Sequence, residues 1–335
     1  LKNARDTAPG EDGLPYSAWA ATGLRGAQTP CDVGNAQMSG LYVPVAYYVV
    51  IKCFPPKGTD PEDAVSCDRS VEDTRPLALL NSDRKITAAV ANRAVSAVFS
   101  EGLNKIQNGF VRGRNFVANV VDLDGYARVA SQASAARVSR CGARPGLAAW
   151  DYAGAFPSLS QCYMMKVLTV SGAPIGFVNL IVAVYALVLA SVKTAAELLF
   201  LFPVRCGVLQ GCPPSGSLFA VSADPTIRHL EAACVGPDGL PRAILRACPD
   251  DLGAAIYDIG VLVPLAGAFA TIRHVAHMAL KPGYCCSVPV HEDVTAIAIF
   301  DTHQWLHDNM PEWASFEVAP ALKYLEFWPV AGGGK

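Results

Sequence analysis

The order of apolar and polar positions divides the chain into helix-like and strand-like stretches without strict alternation between them. Val43–Phe54, rich in Val and Tyr, predicts a strand, ended by Pro55-Pro56-Lys57-Gly58, and the polar stretch Thr59–Asp73 predicts a surface loop. Tyr16–Ala21, Ala88–Phe99 after Asn81-Ser82-Asp83, and Phe116–Val138 predict helices, the last from the helical spacing of Val117, Val120, Val121 and Tyr126. Gly146–Tyr152 predicts a strand, and Ser158–Ser171, Gly176–Val192 and Leu218–Ala233 predict helices. Ala243–Ile256 predicts two short strands folding back at Asp250-Asp251. Val261–Ala279 predicts a helix, and Tyr284–Val290 and Thr295–Phe300 predict strands. Mixed elements of this kind favour an α+β architecture. The chain divides along its length into a Gly/Pro/Ala-rich extension over residues 1–40, a second region over 41–145 and a third over 146–335.

Composition narrows the class. Hydrophobic residues make up 52% and charged residues 17% of 335 positions, which suits a buried core and excludes a disordered chain. The formal net charge of −2 provides no overall field for nucleic acid. Its distribution changes the picture: Arg75–Arg144 holds 11 Lys/Arg against 4 Asp/Glu, a local +7, so the remainder carries −9. A basic part beside an acidic part suits a protein that grips phosphates on one side and holds metal-binding carboxylates on the other. The 11 cysteines show no CxxC pairing and flank apolar runs, as at Cys206, Cys212, Cys285 and Cys286, pointing to a reducing compartment. No signal peptide is visible, and a start at Leu1 suggests a piece of a longer reading frame. Ile175–Val192 just reaches the length of a membrane span, although a buried helix explains it equally well.

The candidate chemistry lies in acids. Asp151 ends the apolar run Gly146-Leu147-Ala148-Ala149-Trp150, and Asp250-Asp251 interrupts another about a hundred residues later. An acid at the end of one run and two adjacent acids within a second can hold magnesium, which prefers carboxylate and phosphate oxygens. His303 and His307 share the spacing of one helical face, as zinc ligands can, but no third ligand lies near them in sequence.

A series of eight segments that includes these acids resembles the reverse transcriptase domain of non-LTR (LINE-type) retrotransposons, from Ala8 to Phe327. They begin with Ala8-Pro9-Gly10-Glu11-Asp12-Gly13-Leu14-Pro15-Tyr16 and Asp73-Thr74-Arg75-Pro76-Leu77-Ala78-Leu79-Leu80-Asn81, followed by Gln107-Asn108-Gly109-Phe110-Val111-Arg112-Gly113-Arg114. Next come Asp151-Tyr152-Ala153-Gly154-Ala155-Phe156 and the closest match, Arg205-Cys206-Gly207-Val208-Leu209-Gln210-Gly211-Cys212-Pro213-Pro214-Ser215. Asp250-Asp251, Leu280–Val290 and the primer-grip-like Leu322-Lys323-Tyr324-Leu325-Glu326-Phe327 complete the series.

The resemblance implies a right-hand polymerase of fingers (41–145) and palm (146–335), with the thumb largely absent. It implies RNA-directed DNA polymerisation: two Mg²⁺ ions on Asp151, Asp250, Asp251 and the backbone carbonyl of Tyr152, with nucleotidyl transfer to a primer 3′-hydroxyl. Arg75, and more weakly Lys57, would hold the triphosphate, Phe156 would exclude a ribose 2′-hydroxyl, Gln210-Gly211 would face the template, and Arg114 would touch template phosphate or stay solvated. The implied partners are an RNA template, a DNA primer and deoxynucleoside triphosphates, with no membrane, in the cytoplasm and nucleus.

Departures from the pattern support a second reading, a decayed copy that keeps the fold without activity. These are Cys248-Pro249 before the acid pair, Gly154 and Pro157 where Lys and Asp are common, Tyr284 in place of Lys, and Glu326 in place of Gly. A third reading, from another class, is an integral membrane protein built around Ile175–Val192.

Overall fold

A computed structural model of the chain describes residues 6–60, 68–70, 73–137, 144–194, 196–248, 250–290, 296–322 and 324–325. Pro249, Lys323, Glu326 and Phe327 lie outside the described residues, as does part of the expected loop at 59–73. The described chain is α+β and forms two compact units, each discontinuous in sequence: residues 1–98 with 159–219, and residues 99–158 with 220–335. The division drawn along the sequence was contiguous. The units interleave because strand pairing joins residues about 140 positions apart.

Unit 1 is built on a four-stranded sheet of order β2-β1-β4-β5, from β1 (Val49–Cys53), β2 (Leu77–Leu79), β4 (Val188–Lys193) and β5 (Leu198–Val204). β1 pairs antiparallel with β2 and parallel with β4. Before it, the expected long strand from Val43 is a 3-10 turn, Val45–Tyr48, leading into β1. The helix α1 (Tyr16–Ala21) forms as its spacing predicts. It is followed by an unpredicted helix, α2 (Gly23–Met38), whose buried stripe is Gly26, Pro30, Gly34 and Gln37. Those small residues recur at helical spacing yet carry no apolar signal. The stripe meets α3 (Ser82–Gly102), where the Thr87 hydroxyl donates to the Pro30 carbonyl at 3.2 Å.

The expected helix at Gly176–Val192 is two elements: α7 (Ile175–Tyr185) and, after a turn, strand β4. The continuous apolar run hid the change of period. Eleven helical residues are too few to span a bilayer, which removes the basis of the membrane reading at this segment.

Unit 2 carries a five-stranded sheet of order β6-β7-β3-β8-β9: β3 (Gly146–Asp151), β6 (Ala243–Cys248), β7 (Asp251–Ile256), β8 (Cys286–Pro289) and β9 (Glu317–Val318). β3 lies centrally, antiparallel to both β7 and β8. Its interior is buried on both faces, as a near-continuous apolar strand requires. Leu147 and Ala149 join Leu123 and Ala127 of α4 (Val117–Arg137), with Ala255, Val288, Leu322 and Tyr324, in one core. On the other face Trp150 packs 5.4 Å from Phe269 and 6.2 Å from Trp313. Each such side chain, fully buried, contributes about 1.5–3 kcal/mol relative to exposure.

Phe269 belongs to α9 (Leu262–Ala276), whose buried Leu262, Leu265, Ala268, Phe269, Ile272 and Ala276 follow helical spacing. Ile259–Ala276 is the helical run among the described residues that is long and apolar enough to cross a membrane by length and composition alone. The expected strand at Thr295–Phe300 falls partly outside the described residues, and from Ala296 the chain is instead the helix α10 (Ala296–Asn309). The Ala-Ile-Ala-Ile-Phe alternation imitates a strand, but burial of Thr302 and Leu306, four apart, sets the helical period.

Candidate active site

The register of unit 2 brings two of the predicted acids together. β3 and β7 pair Leu147 with Ala255, Ala149 with Gly253 and, at their ends, Asp151 with Asp251. Directly opposed residues of an antiparallel pair share a face, with Cβ atoms roughly 4.5–5.5 Å apart. Asp151 and Asp251 are therefore abreast. β6 and β7 close as a hairpin whose last pair is Cys248 with Asp251, so Asp250 stands in the turn. Burial holds the Asp250 carboxyl above the usual carboxylate range. The Cys248 thiol is pushed up to about 12, first by burial and then by the two neighbouring carboxylates.

Tyr152 is buried, its ring 6.2 Å from Phe269, and its backbone bridges to Leu280. Around it Ala153 donates to the Ala279 carbonyl at 2.8 Å and Lys281 donates its amide to the Asp151 carbonyl at 2.8 Å. The Lys281 ammonium lies 3.9 Å from the Tyr284 ring centre, a cation–π contact next to the acid-bearing strand end.

Carboxylates supply the hard oxygen donors that magnesium takes, and Asp250 is a desolvated acid whose charge a nearby cation would favour. Among the described residues no group of three or more His, Cys, Asp or Glu side chains is gathered at metal-ligating distance. Asp151 and Asp251 are thus the pair fixed by the sheet, with Asp250 at the adjoining turn. His303 and His307 are both exposed on α10, and His307 lies 3.2 Å from Asp308.

After Asp151 the chain turns through Gly154 at φ +63° into the short helix α5 (Ala155–Ser158). Glycine suits that left-handed turn, and Pro157 sits in the first turn of α5, where no intrahelical N–H is lost. Two departures noted in the sequence are therefore locally satisfied. Phe156, on α5, is partly buried, with its ring 5.6 Å from that of Phe110 at 73°.

Arg114 does not reach outward. Its guanidinium donates to the carbonyls of Gln107 at 2.7 Å, Leu103 at 2.9 Å and Ser100 at 3.1 Å, and also to that of Asn104. It clamps the end of α3 and the loop after it, so its geometry is that of a backbone clamp.

Sequence reasoning missed the polar groups that hold the hairpin. Asn119, fully buried on α4, donates to the Ala247 carbonyl at 2.9 Å and accepts from the Asn108 side chain at 2.6 Å. Ala247 also receives the Asn108 amide at 2.9 Å, and its own amide donates to Ile106 at 3.1 Å. The Tyr324 hydroxyl completes the set, 3.4 Å from Asn119 and 3.5 Å from the Asp251 carbonyl. Arg246 ties β6 to α4 through Asp122 at 2.8 Å. An isolated Asn on the apolar face of a predicted helix was the available signal.

In unit 1 the predicted residues gather around β2. The β1–β2 register continues past the strand ends, with Pro56 bridged to Thr74, Arg75 donating to Pro55 at 2.9 Å and Lys57 donating to Asp73 at 2.7 Å. Lys57 and Arg75 are therefore diagonal neighbours on one face of the ribbon, and both are exposed. Gln210 bridges to Leu77, and its carbonyl accepts the Ala78 amide at 2.7 Å. Gly211 has φ +106°, and a Cβ placed there would stand 2.6 Å from the Ala78 carbonyl oxygen. Only glycine fits that approach.

No family model matches the sequence. Over 199 residues the chain is 28% identical to the "Transposon TX1 uncharacterized 149 kDa protein" of Xenopus laevis, a match covering 57% of this chain and 14% of that protein. Among solved structures it is similar to an apo telomerase from Candida tropicalis truncated from its C-terminal domain (TM-score 0.49, 10% identity, 70% of this chain and 49% of that one). It is also similar to telomerase from Candida albicans in complex with a telomeric RNA fragment (TM-score 0.49, 10% identity, 80% and 45%). The chain spans less than half the length of each of these proteins. In sequence, then, the chain is similar to a stretch of a transposon protein.

Proposed function

We propose that this chain is the RNA-directed DNA polymerase domain of a retroelement, with unit 2 as its palm. The observation that carries the proposal is the register pairing of Asp151 with Asp251 at the ends of adjacent strands, beside a hairpin turn holding Asp250. Two carboxylates paired at neighbouring strand ends, with a third at the adjoining turn, are donors that magnesium takes, and Asp151, Asp251 and Asp250 would hold the two ions. When bound, the metal would supply charge stabilisation at the reacting phosphate and lower the pKa of the attacking hydroxyl. The reaction joins a primer 3′-oxygen to the α-phosphorus of a deoxynucleoside triphosphate and releases pyrophosphate. Phe156 stands five residues after Asp151, where its ring would close the site against a ribose 2′-hydroxyl. Exposed Arg75, assisted by Lys57, would grip the triphosphate, since a guanidinium is permanently charged and bidentate. Gln210 and Gly211 would present a side chain and a bare backbone to the RNA template.

A decayed copy is the second reading. It draws on Cys248, whose thiol borders both hairpin acids in place of an aromatic residue, and on Pro249. The fit of Gly154 and Pro157 to their turn weakens it. Purified protein with a primed RNA template, deoxynucleotides and magnesium separates the two. Extension by the natural sequence supports the polymerase. No extension, with recovery in the double variant Cys248→Tyr/Pro249→Ala, supports decay.

A further inference from the structure

We propose that Phe110 is a positioning residue for Phe156, so that two rings together set the choice of deoxy- over ribonucleotide; this rests on the polymerase reading. Phe110 breaks two rules at once. It is 59% exposed although fully apolar, and it holds a left-handed backbone at φ +54° that disfavours any residue with a Cβ. Gly109, which would take that conformation without strain, stands one position earlier and is not among the left-handed glycines. Strain of this kind persists only where the surroundings over-determine it, and it clusters at functional sites.

The surroundings here do over-determine it. Arg114 fastens the loop through four backbone carbonyls between Ser100 and Gln107. The Gln107 side chain donates to the Ala220 carbonyl at 3.2 Å, while the Gln107 backbone bridges to Ala247. Asn108 is held by its amide to Ala247 and by its side chain to Asn119. This frame delivers the Phe110 ring to one place, edge-to-face on Phe156 at 5.6 Å and 73°, within the range in which aromatic pairs attract. Ala247 lies one residue before Cys248, so the frame that sets Phe110 is tied to the hairpin that carries Asp250 and Asp251. Without the Phe110 ring Phe156 would keep its place on α5 but lose one edge-to-face neighbour, and a 2′-hydroxyl would gain room.

The test compares kcat/KM for a deoxynucleotide and its ribonucleotide in primer extension by the natural sequence, Phe110→Gly, Phe110→Leu, Phe156→Ala and the double variant Phe110→Gly/Phe156→Ala. Glycine at position 110 accepts the left-handed backbone without strain, so loss of fold does not obscure the effect of losing the ring. Phe110→Gly should lower discrimination roughly three- to tenfold, the scale of one edge-to-face pair. Phe110→Leu should lower it less, and the glycine change should add nothing once Phe156 is alanine. Discrimination unchanged in Phe110→Gly while Phe156→Ala loses it would overturn the inference and leave the polymerase reading intact. A glycine effect that persists without Phe156 would also overturn it. Failure of the natural sequence to extend with any nucleotide would remove the polymerase reading, and this inference with it.

Discussion

Replacing Asn119 by alanine should loosen the frame that carries the hairpin acids, and the structure sets the size of the effect. Asn119 is fully buried, donates to the Ala247 carbonyl and accepts from the Asn108 side chain. The Ala247 carbonyl keeps a second donor, the Asn108 amide, so it is not orphaned. The Asn108 side-chain amide loses its acceptor, and the Tyr324 hydroxyl loses a weaker contact at 3.4 Å. Two hydrogen bonds at about 1 kcal/mol each, plus the cost of an unsatisfied amide, give a local destabilisation of about 2–4 kcal/mol. Amide hydrogen exchange reads this directly, because the Asn108 and Ala247 amides both depend on the frame. Where reclosing outruns exchange, their rates should rise roughly 30- to 1,000-fold, at tenfold per 1.4 kcal/mol. The Lys57 amide, bonded to Asp73 in unit 1, serves as the internal reference. Asn119→Asp, which keeps an acceptor but loses the donor, should fall between alanine and the natural residue. A change under about threefold at Asn108 and Ala247 would refute the reasoning, since it corresponds to less than one net hydrogen bond.

Gly211→Ala should destabilise unit 1 by about 2–4 kcal/mol, combining backbone strain with overpacking against the Ala78 carbonyl, and should speed exchange of the Ala78 amide. Arg114→Ala should cost about 2–4 kcal/mol of stability through its orphaned carbonyls yet leave the salt slope of nucleic-acid binding unchanged; a slope reduced by about one would make Arg114 a phosphate contact instead. Asp250, with its pKa raised by burial, holds its proton more tightly when folded than when unfolded. Its contribution to stability is therefore greatest at low pH and declines as pH rises from the ordinary carboxylate range through the raised value. In metal-free buffer Asp250→Asn should remove that decline, as melting temperatures across pH 4 to 8 would record.

The strands of unit 2 that carry the acids were legible because local and tertiary signals agree there. Ala243–Ile256 carries two short apolar runs broken by two acids, and a hairpin at that break is what forms. Glycine at position 211 is likewise explained by a single close approach of backbone to backbone. Where local signals conflict with packing, the pattern misleads. Ala296–Phe300 alternates like a strand, but the period is set further on by the burial of Thr302 and Leu306, four apart. In Ile175–Val192 nearly every position is apolar, so neither a period of 2 nor one of 3.6 can be seen, and a helix and a strand were fused. The Gly, Pro and Gln stripe of α2 is silent for the opposite reason, having almost no hydrophobic residues to count. Of the candidate site, Asp151, Asp250, Asp251, Phe156 and the Gln210-Gly211 loop could be singled out along the chain. The contacts of Asn119 and Phe110 could not, because they are made with Ala247, 128 positions from Asn119, and with Phe156. Arg114 reads in sequence as a phosphate contact or a solvated side chain because sequence does not reveal that four carbonyls already accept from its guanidinium.

The central claim is that Asp151 and Asp251, paired across two strands, form the metal-binding heart of a polymerase. Primer extension on an RNA template with magnesium, comparing the natural sequence with Asp151→Asn and Asp251→Asn, tests it most directly. The account predicts extension by the natural protein and at least a hundredfold loss in each variant (about 2.7 kcal/mol or more of transition-state stabilisation), with melting temperatures preserved. Extension that survives Asp151→Asn at an undiminished rate would contradict it.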